Sequence, residues 1–212
     1  MNLKLPRVYP ITDRTISSLT HAEQVSRLLA GGATFIQLRE KTESARVFFE
    51  DAATALRIAR QAGATLIIND RVDIALALDA DGVHLGQSDM PVNVARRLLG
   101  PKAIIGYSTH NVRQVRAALD LPIDYLAFGP VLVTGSKKNP DPIAGIDALR
   151  EAKSMVGHLP LVAIGGIRRS TMSEVLSAGG DSVAMISEIL AVPQDIAKNV
   201  RDLLTKLADQ PS

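Results

Sequence analysis

The chain has 212 residues, 46% of them hydrophobic, which is enough for one domain (1–212) with its own core. Its 24 basic and 22 acidic residues are interspersed and leave a formal net charge of +2, and aromatics make up 3% with no tryptophan, so a nucleic-acid partner that needs a basic face and stacking rings is not expected. The absence of cysteine excludes disulfides, thiolate nucleophiles and Cys-ligated metals, and without an apolar run of about 18 residues or a signal-like apolar core near Met1 the expected setting is the cytoplasm, away from any membrane.

Short β-branched runs at residues 8–12, 35–39, 65–70, 82–86, 103–108, 125–131, 161–166 and 182–187 read as strands. An amphipathic segment of helical length follows each one. Val112, Val115, Ala118 and Leu119 recur at helical spacing, and Ala197, Val200, Leu204 and Leu207 mark the last helix. Gly32, Gly63, Gly100 and Gly179 sit just beyond helices, where a left-handed cap is comfortable. Eight βα units imply parallel strands with right-handed crossovers, and predict a closed (β/α)8 TIM barrel of α/β class. The rival, an open doubly wound sheet, is weakened by the lack of a Gly-rich dinucleotide fingerprint after the first strand. One connection is long: residues 132–146, ahead of a helix expected at Asp147, carry two Gly, two Pro and two Lys, as a lid would.

Barrels of this kind carry their chemistry at the carboxyl ends of the strands. On the second strand Ile36 and Leu38 share one face, which directs Gln37, Arg39 and Lys41 inward. Two inward cations call for something anionic at the mouth, unless an internal salt bridge to Glu40 or to a neighbouring strand neutralises them. Asn69 and Asp70 end the third strand, and Gln87 and Asp89 follow the fourth. Two carboxylates on adjacent loops suit Mg²⁺, although Asp89 ahead of Met90 and Pro91 also resembles a helix N-cap. Ser108, Thr109, His110 and Asn111 close the fifth strand, with Asn111 or Thr109 able to cap a helix, Ser108 to reach a ligand and His110 to move a proton or to be structural. His84, inside the apolar fourth strand, reads as a hydrogen-bonded interior histidine. The long loop offers Thr134, Gly135, Ser136, Lys137 and Lys138, and Gly165, Gly166, Ile186 and Ser187 stand at the seventh and eighth strand ends, where barrels often bind phosphate. Two anionic subsites follow, one near Arg39, Lys41 and the carboxylates, the other near Gly166, Ser187 and the loop hydroxyls.

The strings VYPITDR at the first strand, QLREK at 37–41, IND at 68–70, GVHLGQSDMP at 82–91, IIGYSTHN at 104–111, DYLAFGPV with the TGSKK loop at 124–138, PLVAIGGI at 160–167 and AGGDSVAMIS at 178–187 together resemble the thiamine phosphate synthase family over essentially the whole chain. The resemblance implies that a hydroxymethylpyrimidine diphosphate and a hydroxyethylthiazole phosphate, or its carboxylated form, are joined with loss of pyrophosphate by a dissociative displacement. By the same resemblance the run Gln37, Leu38, Arg39, Glu40 and Lys41, with Asn69, Ser108 and Lys137, would hold the pyrimidine diphosphate, and Arg39, Lys41, Ser108 and Lys137 would act in catalysis. Asp70 and Asp89 would hold Mg²⁺, and Thr134, Gly135, Ser136, Gly166, Ile186 and Ser187 would surround the thiazole phosphate. Here Val133 and Ser136 replace a proline and a threonine of the family's lid pattern, and Ser136 keeps the hydroxyl. Two other readings stay open: a thiazole tautomerase using His110 on the same barrel, and a non-catalytic barrel that binds thiamine precursors. The expected partners are small phosphorylated molecules, with a homo-oligomer left open.

Overall fold

A computed structural model describes residues 3–134 and 142–208. Its strands are β1 (Val8–Thr12), β2 (Phe35–Leu38), β3 (Thr65–Asn69), β4 (Gly82–Leu85), β5 (Ile104–Thr109), β6 (Tyr125–Phe128), β7 (Leu161–Ile164) and β8 (Ser182–Met185). They run in sequence order around a closed barrel in which every neighbouring pair is parallel, and β8 returns to β1 with Val8 opposite Val183. This is the (β/α)8 closure expected from eight repeats, and it leaves no edge for the open-sheet alternative. Most strands stop short of the ends expected from sequence, β2 at Leu38, β3 at Asn69 and β7 at Ile164. The residues left over, among them Arg39, Asp70 and Gly166, turn out of the ladder and become the mouth.

The helices are α1 (Arg14–Ser17), α2 (His21–Ala30), α3 (Ala45–Gln61), α4 (Val72–Ala77), α5 (Val92–Leu99), α6 (Val112–Ala118), α7 (Gly145–Val156), α8 (Met172–Ser177), α9 (Ser187–Leu190) and α10 (Ile196–Ala208). Short polar side chains start several of them. Thr20 and Glu23 form a reciprocal capping box on α2, Ser44 caps α3, and Asn111 Oδ1 accepts the Gln114 N–H at the start of α6, as the sequence allowed. The helix expected at Asp147 begins two residues earlier, at Gly145. The four glycines expected to end helices all have positive φ. Among the described residues no helix is long and apolar enough to cross a membrane.

Alternation along each strand divides the core in two. Ile36, Leu38, Leu66, Ile68 and Val83 face outward and pack under the helices, whereas Tyr9, Ile11, Phe35, Ile67, Tyr125, Ala127, Val162 and Ala184 fill the barrel. Tyr9, Phe35 and Tyr125 meet edge to face, with centroids 4.8 to 6.2 Å apart. Gly106 on β5 leaves the space these rings need: a Cβ there would stand 2.0 Å from Tyr125 Cζ and 2.5 Å from His84 Nδ1. Since both rings are buried and held by hydrogen bonds, Gly106→Ala is expected to destabilise the protein by at least about 2 kcal/mol. Thermal denaturation checks this, and an unchanged midpoint would mean that the two rings move aside freely.

Candidate active site

A cavity of about 560 Å³ opens at the carboxyl ends of the strands. Its floor is polar. Gln37 Nε2 donates to Tyr9 Oη (3.0 Å), which meets Tyr125 Oη at 2.9 Å; Tyr125 Oη lies 2.9 Å from His84 Nδ1, and His84 Nε2 lies 2.8 Å from Ser108 Oγ. Burial pushes both tyrosine hydroxyls well above their ordinary range, so each remains a protonated link. With Gln37 as the donor at one end, one proton order satisfies every link without leaving the buried Tyr9 proton unused: each tyrosine hydroxyl donates onward, His84 carries its proton on Nε2, and Ser108 keeps its own proton to offer to the cavity. His84 is therefore the interior histidine expected from sequence, and it also orients Ser108.

The run 37–41 divides by parity. Gln37, Arg39 and Lys41 line the cavity, whereas Leu38 is buried among the outward core. Glu40 also turns away. Its Oε1 accepts from the backbone N–H groups of Lys41 (2.7 Å), Thr42 (2.6 Å) and Glu43 (3.1 Å) and from the Thr42 hydroxyl (2.9 Å), while Oε2 faces His21 Nε2. Burial alone would raise the Glu40 carboxyl, but these hydrogen bonds outweigh it and hold the value at about 2. The side chains of Leu38 and Glu40 thus shape the mouth from behind, and only their backbone can face a ligand.

Both rim cations have carboxylate partners. Arg39 Nη1 pairs with Asp13 Oδ2 at the end of β1, so the expectation of a salt bridge to a neighbouring strand holds for Arg39, with Asp13, which the sequence did not single out, as the partner. Lys41 Nζ pairs with Asp70 Oδ2, one of the two carboxylates expected to share a cation. Asp70 adopts φ 60°, a left-handed conformation that, glycine aside, asparagine and aspartate tolerate best. Asp89 does not cap a helix: α5 starts after Pro91 without a side-chain cap, and Asp89 Oδ2 accepts the Gly86 N–H at 2.6 Å instead. Desolvation, followed by the nearby Asp70 carboxylate, raises the Asp89 value, with the Gly86 N–H and Lys41 pulling the other way. Two carboxylates so close together, at adjacent strand ends, form a donor set that fits a hard divalent cation. Among the described residues no group of three or more His, Asp or Glu side chains could hold a metal, so such an ion would complete its shell with water and substrate oxygens. Asn69 lines the same wall.

Across the cavity, Gly165, Gly166, Ile186, Ser187 and Thr134 form the other wall. Gly166 has φ 68°, and a Cβ there would meet Val133 O at 2.2 Å, so only glycine lets the loop after β7 lie directly on the loop after β6. Gly135, Ser136 and Lys137 lie outside the described residues. His110 also lines the cavity, with Nδ1 2.6 Å from Gly129 O. Arg168, two positions past Gly166, is an exposed mouth residue that sequence reasoning missed, and a basic residue directly after the GGI turn was the available signal. A second hollow, of about 450 Å³ between α3 and α4, is lined by Leu56, Arg57, Arg60 and Leu78 and brings no comparable set of groups together.

Barrels carry their active sites at the carboxyl ends of the strands and frequently bind phosphate after the seventh and eighth, so the cations, paired carboxylates and glycine turn around this mouth fit an enzyme of small phosphorylated molecules. A family model described as thiamine monophosphate synthase matches residues 8–189. A thiamine-phosphate synthase of Koribacter versatilis is 42% identical over 209 residues, covering 95% of this chain and 97% of that protein, and one of Methanocella arvoryzae is 43% identical over 197 residues, covering 92% of each. The solved thiamine phosphate pyrophosphorylase from Pyrococcus furiosus superposes with a TM-score of 0.85 at 36% identity, covering 96% of each chain. The chain belongs to the thiamine monophosphate synthase family.

Since folding raises the Asp89 value, its ionised form is disfavoured in the folded chain at any pH above that raised value, and the penalty is absent below the ordinary aspartate range. Asp89→Asn removes the charge and keeps an acceptor for the Gly86 N–H. It is expected to raise the thermal midpoint of metal-free protein at pH 7, with no gain near pH 3. A lower midpoint at pH 7 would show that the ionised Asp89 carboxylate is not disfavoured in the folded chain.

Proposed function

We propose that this chain is a transferase that condenses 4-amino-2-methyl-5-(diphosphooxymethyl)pyrimidine with 4-methyl-5-(2-phosphooxyethyl)thiazole, or its carboxylated form, to give thiamine phosphate and pyrophosphate, with carbon dioxide as a further product from the carboxylated form. It works as a single domain on small phosphorylated substrates in the cytoplasm. The observation that carries this reading is the cluster of Lys41, Asp70 and Asp89 beside Arg39, on one wall of a cavity whose opposite wall is a glycine turn.

In this reading Gln37, Asn69 and Ser108 hold the pyrimidine, with the Ser108 proton aimed by the floor's hydrogen bonds. The bond from the pyrimidine methylene carbon to the diphosphate oxygen breaks, its electron pair leaves with pyrophosphate, and the thiazole nitrogen forms the new C–N bond. No protein nucleophile is needed, which agrees with a chain that lacks cysteine. Arg39, Lys41 and Lys137 stabilise the charge that grows on the leaving group. Arg39 gives one N–H to Asp13 and keeps others for the diphosphate. Asp70 and Asp89 would hold Mg²⁺, which when bound neutralises diphosphate charge and orients it. Thr134, Gly135, Ser136, Gly166, Ile186 and Ser187 hold the thiazole phosphate. Ile11, Ala127, Val162 and Ala184 make the remaining floor apolar, which limits the water that would otherwise trap the pyrimidine cation as an alcohol.

A tautomerase would rely on His110 and would have no leaving group for Lys41, Asp70 and Asp89 to serve; a silent precursor-binding barrel would bind without turnover. Purified protein given both precursors separates all three. Thiamine phosphate and pyrophosphate should form in equal amounts, only with both precursors, and at least about 100-fold more slowly without Mg²⁺. Tight binding without product, or thiazole isomerisation without pyrophosphate, would overturn the proposal. Lys137→Ala should lower kcat by about 100-fold while changing the KM for thiazole phosphate less than about three-fold; equal loss in both parameters would contradict a role at the leaving group.

A further inference from the structure

Behind the rim, three buried polar side chains are bonded in a line that the proposed chemistry does not use. Thr12 Oγ1, at the end of β1, lies 2.7 Å from His21 Nδ1, and His21 Nε2 lies 3.1 Å from Glu40 Oε2. Thr12 and His21 are fully buried, and the Glu40 side chain is 5% exposed. His21 opens α2 and is held from outside: the Asp51 carboxylate of α3 accepts the backbone N–H groups of His21 (2.7 Å) and Ala22 (3.0 Å), and Phe48 meets the imidazole at 5.4 Å. Thr12, His21 and Glu40 do not line the cavity. Burial pushes the imidazole below its ordinary range, against the pull of Asp51 and Glu40, so the ring is neutral at pH 7. A neutral ring suits its neighbours, with Nε2–H donating to the Glu40 carboxylate and Nδ1, at 2.7 Å, a closer acceptor for the Thr12 hydroxyl proton than the Gln37 carbonyl at 3.2 Å.

The two ends of this line bracket the cations. Thr12 Oγ1 accepts the Arg39 N–H at 3.3 Å, and the free end of Glu40 gathers the N–H groups of Lys41, Thr42 and Glu43. The stem of each rim cation is therefore tied to an acceptor whose orientation depends on one imidazole. We propose that His21 is a positioning residue: through Thr12 and Glu40 it fixes the backbone on either side of residue 40, at the spacing that lets Arg39 and Lys41 together receive the departing diphosphate. This rests on the reading of that rim as the diphosphate subsite. Small misplacements of a binding group far from the bond being broken are known to lower rates by orders of magnitude. An imidazole buried only for packing would behave differently, since an isosteric ring in its place would cost stability and leave the balance between the two substrates alone.

The test compares His21→Phe with His21→Gln, and Thr12→Val with Thr12→Ser, in the full chain. Thermal midpoints, kcat, KM for each substrate, and the Kd of inorganic pyrophosphate with Mg²⁺ are the readouts. His21→Phe and Thr12→Val should weaken pyrophosphate binding and raise the KM for the pyrimidine diphosphate about ten-fold, with the KM for thiazole phosphate held within about two-fold. His21→Gln, which keeps a donor for Glu40, and Thr12→Ser, which keeps the hydroxyl, should recover most of the loss. Equal shifts in both KM values, unchanged pyrophosphate affinity in a folded variant, or no recovery would overturn the proposal. If His21→Phe does not fold, the Thr12 pair decides on the same readings. Failure of the unaltered protein to make thiamine phosphate would sink the reading of the site, whereas pyrophosphate affinity across the variants judges His21 independently.

Discussion

Arg39 and Lys41 leave the end of β2 on the same side, two residues apart, in a mouth that is partly shielded from water. Like charges so placed repel each other, and each loses hydration that the protein has to replace. Much of the surrounding structure answers that constraint. Asp13 and Asp70 supply counter-charge from the neighbouring strands β1 and β3, while Glu40 supplies none to the cavity and instead ties down the backbone that follows it. A single carboxylate per cation lowers the cost of charge without saturating it: a guanidinium with five N–H groups and an ammonium with three retain donors for an incoming anion.

The same economy governs the floor. A barrel interior is normally filled by apolar layers, and here β1, β2, β4, β5 and β6 each place a polar group in one hydrogen-bonded line. These groups are tolerable at such depth because every one has a partner. Their alignment needs a position with no side chain at all, Gly106, between the Tyr125 ring and the His84 ring. The polar line and the apolar residues around it thus act together: the first gives direction to hydrogen bonds, and the second keeps water from competing for them.

Much of the fold was legible in the sequence because its signals are local. Alternation along each strand separated Ile36 and Leu38 from Gln37 and Arg39, and eight repeats of strand and helix left closure as the simplest topology. Strand ends were less legible, since residues such as Asp70 and Gly166 have strand-like neighbours yet leave the ladder by adopting positive φ. Within the site, Lys41 beside Asp70 followed from placement at adjacent strand ends. Asp13 as the partner of Arg39 did not, nor did the inward contact of His21 with Glu40, because each joins elements whose relative height in the barrel is set by register. Asp89 illustrates the limit of short-range signals: an Asp shortly before a Pro and a helix reads as a cap, but its side chain turns back to Gly86. Arg168 went unread although it directly follows the GGI turn, because only the glycines of that turn were weighed as phosphate donors.

The hydrogen-bonded floor has a direction, and that direction is written by one amide. Were the Gln37 carboxamide turned end for end, Tyr9 would have to give its proton back toward β2, Tyr125 would give to Tyr9, the imidazole would move its proton to Nδ1, and Ser108 would surrender its hydrogen to Nε2. The serine at the far side would then present an acceptor to the cavity in place of a donor. Whether the cavity meets a donor or an acceptor at β5 is thus settled three strands away, at β2.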